Sequence, residues 1–325
     1  MAEHTISHSV PETGPARTRQ RAQAFARLRR NILRNWQLYI LILPATAYFL
    51  FFCYGPMYGV QIAFKDFIPT KGITGSPWVG FKHFETLFHT YSFGNIFKNT
   101  ISLSLYSLAA GFPIPIILAL LLNEVDNKFF KKLVQNVTYA PHFISTVVMC
   151  GMILLFLSPS GGFFNQVRTA FGLDPINFMY EGKYFKTIYV LSGAWQGTGY
   201  GSIIYLSALA GVDQEQHEAA VIDGATRLQR IWHINLPGIL PTICIMLIMQ
   251  CGSLMSVGFE KVFLLMNDLN RSSAEVISTY VYKIGLQQRQ YSFSTAIGLF
   301  NNIINIVLLL TVNKIAKKIS DTSLF

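Results

Sequence analysis

The placement of charge constrains this chain more than any other feature of its sequence. Between Arg34 and Lys65, across Asn99 to Asn123, and between Lys132 and Arg168, Lys186 and Asp213, Arg230 and Glu260, and Arg289 and Lys314 lie six stretches free of Asp, Glu, Lys and Arg, the shortest of 24 residues. Crossing the hydrocarbon layer takes about 20 mostly apolar residues, and a charge held at its centre costs on the order of 2.5–3.5 kcal/mol or more. The spacing therefore predicts an all-α integral membrane protein with six transmembrane helices, over about 38–58, 99–122, 138–158, 187–211, 239–262 and 293–313. Composition agrees: charged residues make up 13% of the 325, against about 25% in a soluble domain.

The basic excess, a formal net charge of +10, fits cytoplasmic ends that touch anionic lipid better than it fits a nucleic-acid partner. Seven Arg and no acid fall within Arg17 to Trp36, so residues 1–36 are expected as a basic N-terminal segment on the cytoplasmic side, either a helix lying on the inner leaflet or a tail. With no convincing cleavage site after the first apolar run, an uncleaved first span is expected. With the N-terminus inside, cytoplasmic segments hold fifteen Lys and Arg against eleven outside, and the bias is sharpest beside the first and last spans, which puts both termini in the cytoplasm. Cys53, Cys150, Cys244 and Cys251 lie in the apolar runs without metal-ligand spacing and are expected as small core residues. Pro113 and Pro115 should interrupt the second span, either to line a path or as packing kinks, and Pro141 should mark the start of the third.

One polar insert, residues 213–237, separates the fourth and fifth expected spans. Asp213 can cap a helix whose first turn carries Glu215, Asp223 and Gly224 read as a bend, and a second helix should run to about Ile234, with Asp223 and Arg227 spaced for an i,i+4 pair and Pro237 as its stop. Two short surface helices result. Physically they could rest on lipid or form a knob that enters a groove on a cytosolic partner.

The order Glu218, Ala219, Ala220, then Gly224, then Ile234, Leu236 and Pro237 resembles the EAA signature of binding-protein-dependent ABC importer permeases. That resemblance implies the type I importer (MetI-like) transmembrane fold over 37–325, with 213–237 as a cytosolic coupling loop seated in an ATP-binding subunit. Glu218 would face the ATPase, Gly224 would turn the chain between the coupling helices, and Asp223 would belong to the same docking surface. Ile231, followed by Trp232, stands where many sugar permeases have Phe. "YGPMYGVQIAFKDF" at 54–67, "WVGFKHF" at 78–84 and "STYVYKIGLQQRQYSFSTAIGLFNNIINIVLLL" at 278–310 are similar to the polysaccharide and complex-oligosaccharide branch of the MalF-like group, including alginate-type permeases.

What the resemblance implies is a non-catalytic permease subunit of the bacterial inner membrane. Its partners would be a second homologous permease, two ATP-binding subunits that hold ATP and Mg, and a periplasmic or lipid-anchored solute-binding protein that delivers an oligo- or polysaccharide. The sequence agrees that nucleotide chemistry lies elsewhere, for it has no GxxxxGK[ST] loop. A glycerol-phosphate or peptide cargo is the nearest rival. Ion-coupled transport is disfavoured by the lack of acids inside the spans, and a membrane enzyme by the lack of a motif such as HExxH. No cofactor is expected on this chain.

Sugars are bound by aromatic faces, amides and hydroxyls in concave sites. Candidates along the path are Trp195, Gln196 and Tyr200, then Gln250, Ser253 and Ser256, then Asn301, Asn302 and Asn305. Interhelical hydrogen bonding competes with sugar contact at each. Glu260 and Lys261 are expected at an outer membrane edge, and His142 and His233 as structural residues.

Overall fold

The computed structural model describes residues 30–31 and 34–320. The expectation for the basic segment therefore falls outside the described residues up to position 29. In chain order the main helices are α1 (Trp36–Phe64), α2 (Lys82–His89), α3 (Phe93–Asn123), α4 (Lys128–Phe143), α5 (Thr146–Phe156), α6 (Phe163–Ala170), α7 (Gly182–Leu209), α8 (Gln214–Ile222), α9 (Arg227–Gly252), α10 (Phe259–Leu265), α11 (Ile277–Tyr282) and α12 (Tyr291–Ser320). Among the described residues the extended contribution is one isolated antiparallel bridge, Lys65 to Trp78. The chain divides into two units, Met1–Val60 and Gln61–Phe325.

Among the described residues four helices are long and apolar enough to cross a membrane: α1, α3, α9 and, within α12, Tyr291–Lys318. A fifth span exists only if α4 and α5, bent by 98° at the break between them, count as one. This overturns the six spans expected from charge spacing. The predicted 187–211 segment does form a helix, α7, whose 28 residues are ample in length. From 187 onward its Gly, Ser, Thr and Gln residues leave it uncharged without making it apolar, and absence of charge is not hydropathy. The predicted 138–158 segment breaks at Ile144 and Ser145, where the Ser145 hydroxyl caps α5 by accepting from Val148 N at 3.3 Å. The fifth predicted segment, 239–262, lies too far along the chain. The actual helix starts at Arg227 and ends at Gly252, leaving Phe259–Leu265 as a separate helix.

Unit one ends within α1, whose Leu41, Phe51 and Phe52 are exposed, as a lipid-facing surface requires. Cys53 is exposed as well, while the other three cysteines are buried as expected. In unit two, α7 is the central post. One cluster joins Leu103 of α3, Met149 and Ile153 of α5, Phe185 and Val190 of α7, and Val262 and Leu265 of α10. A second joins Ile116 and Leu120 of α3, Tyr205 and Leu209 of α7, and Ile239 of α9. Phe93 and Ile96 of α3 meet Ile277, Tyr280, Phe293 and Ile297 in a third. Gly199 lets α7 lie directly on the end of α4, since a Cβ there would overlap the Thr138 carbonyl. Pro113 and Pro115 cost α3 a break of one residue, Phe112, between Gly111 and Pro113.

Candidate functional site

The 213–237 loop folds much as its sequence directs. Asp213 Oδ1 accepts from Glu215 N at 2.9 Å and starts α8. The chain reverses at Gly224, whose φ of +77° is a backbone conformation that side-chain-bearing residues adopt only at a cost. Thr226 then opens α9 with a capping box: its backbone N–H donates to Gln229 Oε1 at 2.7 Å, and its hydroxyl accepts from Gln229 N at 3.4 Å.

Two local expectations are corrected. Arg227 pairs at 3.0 Å with Asp126, beyond the end of α3, rather than with Asp223. Pro237 does not stop the second helix, because a π-helical turn over Ile231–Asn235 closes with Leu236 N bonded to Ile231 O, and the proline follows inside one continuous helix. A local change of register of this kind accommodates a proline, which has no N–H to give to the helix ladder.

What projects is a knob. Glu218, Ala219, Asp223 and Gly224 are exposed, Ala220 is half-buried, and Ile222 and Leu228 are bare at 85% and 68% exposure. Trp232 and Val221 are exposed too. Apolar side chains grouped on a polar, charged loop mark a surface that meets another protein or a membrane, and sequence patterning had not singled out Ile222 or Leu228 as exposed. Ile234 and Leu236 are half-buried, and Pro237 is exposed at the root.

The root is held firmly. Glu124, at the end of α3, accepts from Arg230 Nη2 at 3.3 Å and from Asn235 Nδ2 at 3.1 Å, with the Arg230 and Glu124 side chains only 20% and 14% exposed. Val212, Ile231 and Leu236 pack on the Ile116, Tyr205, Leu209 and Ile239 cluster. The root is thus tied to three helices at once, α3, α7 and α9. His233 Nδ1 lies 2.9 Å from Gln229 O, within the helix's own turn.

A second site lies deeper in unit two. A cavity of about 470 Å³ is walled by α3, α7, the end of α9 and the start of α10. Of the path candidates, Gln196, Gln250, Ser253 and Ser256 line it. Trp195 instead joins an apolar pocket with Phe156 and Phe164, and Tyr200 stacks flat on His142 at 3.9 Å. Asn305 works behind the wall: it accepts from Met255 N at 2.9 Å and donates to Ser256 Oγ at 3.1 Å. Asn301 and Asn302 belong to α12, outside the lining. Gln196 also donates to Ile144 O at 2.8 Å, so it braces the break between α4 and α5.

The lining adds residues that sequence reading did not single out, Ser104, Ser107, Tyr189 and Thr198. It also holds Lys261, a residue expected at an outer membrane edge, which is 8% exposed. Its Nζ donates to Tyr189 O at 2.9 Å and lies 4.8 Å from the Tyr189 ring centroid. Burial pushes its pKa down to about 8, with the nearby Cys150 pulling weakly the other way.

A multi-pass helical bundle with an internal polar cavity and a projecting two-helix knob rooted on three of its helices is the build of a transport permease driven from outside itself. Residues 111–321 match the family model described as the inner membrane component of binding-protein-dependent transport systems, and the chain belongs to that family of non-catalytic ABC-transporter permease subunits. It is 44% identical over 299 residues to the polygalacturonan/rhamnogalacturonan transport system permease protein YteP of Bacillus subtilis, covering 92% of this chain and 93% of that one. It is likewise 44% identical to protein LplB of the same organism, over 90% and 92% of the two chains. A bacterial alginate ABC transporter solved with its alginate pentasaccharide-bound periplasmic protein shares the fold at a TM-score of 0.85 and 42% identity, over 92% of this chain and all of that one.

Proposed function

We propose that this chain is one permease of a bacterial ABC importer and forms part of the path by which an oligo- or polysaccharide enters the cell. Relatives at 44% and 42% identity that carry polygalacturonan, rhamnogalacturonan or alginate support the cargo class. The assembly pairs it with a second homologous permease, two ATP-binding subunits and an extracellular solute-binding protein. ATP and Mg bind to those subunits. The knob around Glu218 and Gly224 docks on an ATP-binding subunit, and the observation that carries this reading is its exposed apolar surface on a root braced by Glu124, Arg230 and Asn235.

Closure of the ATP-binding subunits moves the knob, and the rigid root carries the movement to α3, α7 and α9, whose side chains wall the cavity. Glu218, Ala219, Ala220, Asp223 and Gly224 form the contact surface, while Ile234, Leu236 and Pro237 belong to the root. Both termini and the knob face the cytoplasm. The Lys and Arg excess beside the first and last of the long apolar helices supports that orientation.

The test is uptake and ATP hydrolysis by the reconstituted transporter carrying Glu218→Lys or Gly224→Asp. Each variant is expected to insert normally and to lower uptake by about tenfold or more, equivalent to at least about 1.4 kcal/mol of coupling. Uptake at the normal rate in both would remove the docking assignment.

A further inference from the structure

We infer that Lys261 is the charge-selecting residue of the central cavity, contacting a carboxylate of an acidic saccharide as it passes. The inference rests on the saccharide-import reading and narrows it to anionic cargo. Its basis is the unequal lining of the cavity. Ser, Thr and Gln side chains supply neutral donors and acceptors, Gly and apolar residues supply shape, and among the described residues Lys261 is the one charged group in the wall, with no Asp or Glu in the lining.

An ammonium carries three N–H donors. One is given to Tyr189 O, and the Tyr189 ring offers its face to the same charge. Among the described residues no carboxylate lies within ion-pair distance of Lys261, although seven other cation–carboxylate pairs occur. A cation held in a poorly hydrated site with donors to spare favours an incoming anion, and a charge-assisted hydrogen bond is about twice as strong as a neutral one.

The approach is kept open by glycine. A Cβ at position 193 would stand 3.3 Å from Lys261 Nζ, and one at Gly197, a turn further along α7, would meet nothing within 4 Å. These positions follow one face of α7, so the helix presents backbone beside the ammonium and free space one turn on. A lysine needed only to fasten α10 to α7 would serve every cargo equally. A lysine that reads charge would not.

The experiment uses the complete transporter in proteoliposomes with its binding protein and measures uptake of three probes: a galacturonate trimer, its methyl-esterified form, and a hexose phosphate. The same binding protein serves every permease variant, so the variant-to-wild-type ratio for each probe isolates the cavity. Lys261→Met is expected to reduce uptake of the ionised trimer about tenfold or more while changing the ester less than about twofold, a difference of at least about 1 kcal/mol. Lys261→Arg should keep most of the acidic uptake, and Gly193→Ala should lower it without removing the charge.

Equal losses for both trimers in Lys261→Met, or no loss for either, would overturn the role of Lys261 while leaving saccharide import standing. Failure of wild type on all three probes would overturn the acidic-saccharide reading itself. Wild-type uptake of the phosphate alone would overturn the carboxylate as the recognised group.

Discussion

The knob and the cavity are built in opposite ways. The knob comes from one run of 25 residues, 213–237, whose caps, bend and exposed side chains are set by near neighbours. The cavity draws on residues from Ser104 to Lys261, gathered from helices that meet only after folding. A mechanical part need only be stiff and shaped for its socket, and short-range rules suffice for that. A selective space depends on how several helices happen to face one another, and its chemistry sits on surfaces that no local pattern reveals.

The largest way to break that contrast is to disturb the frame both sites share. Gly199→Leu would force α7 off the Thr138 carbonyl at the end of α4. Overpacking of this kind costs about 1–3 kcal/mol and often more against backbone. The expected result is a lower melting temperature of the purified complex together with reduced uptake of every cargo. Normal stability would mean that α4 yields easily, and the cavity wall would be softer than described.

A smaller effect separates the buried tie from the exposed one at the knob's root. Arg230→Ala leaves the half-buried Glu124 carboxylate without its charged partner, at a cost of about 1–3 kcal/mol. Arg227→Ala removes a pair whose side chains are 65% and 87% exposed, worth about 0–1 kcal/mol. Thermal unfolding of the two variants should therefore rank Arg230→Ala well below Arg227→Ala, with ATP-driven uptake following the same order. Equal stabilities would show that the root is held by its apolar packing alone.

The same contrast explains how far the sequence could be read. Asp213, Gly224 and Thr226 act within a turn of themselves, so the two-helix loop was legible. Its pairing was not, since Arg227 finds Asp126 from a distant part of the chain instead of its i,i+4 neighbour. Charge-free length pointed to helices but overcounted membrane spans. In α7 about half of the uncharged residues are small or polar, several of them lining the cavity, and at Ile144 the chain turns by 98°. Gln196, Gln250, Ser253 and Ser256, expected along a path by chemical type, do line the cavity, whereas Asn305, of the same type, supports the wall from behind. Lys261 was not legible as a cavity residue, because a charge near the end of an apolar run looks like a membrane boundary. The helix had already ended at Gly252.

The central claim is that a separate ATP-binding subunit drives this chain through the knob. A photo-crosslinking residue at position 222, whose native isoleucine is 85% exposed, tests it most directly in the assembled transporter. The account predicts a crosslinked product joining this chain to the ATP-binding subunit, with a yield that changes when ATP is added. A probe at that position that labels lipid alone, with no product to the ATP-binding subunit in either condition, would contradict it.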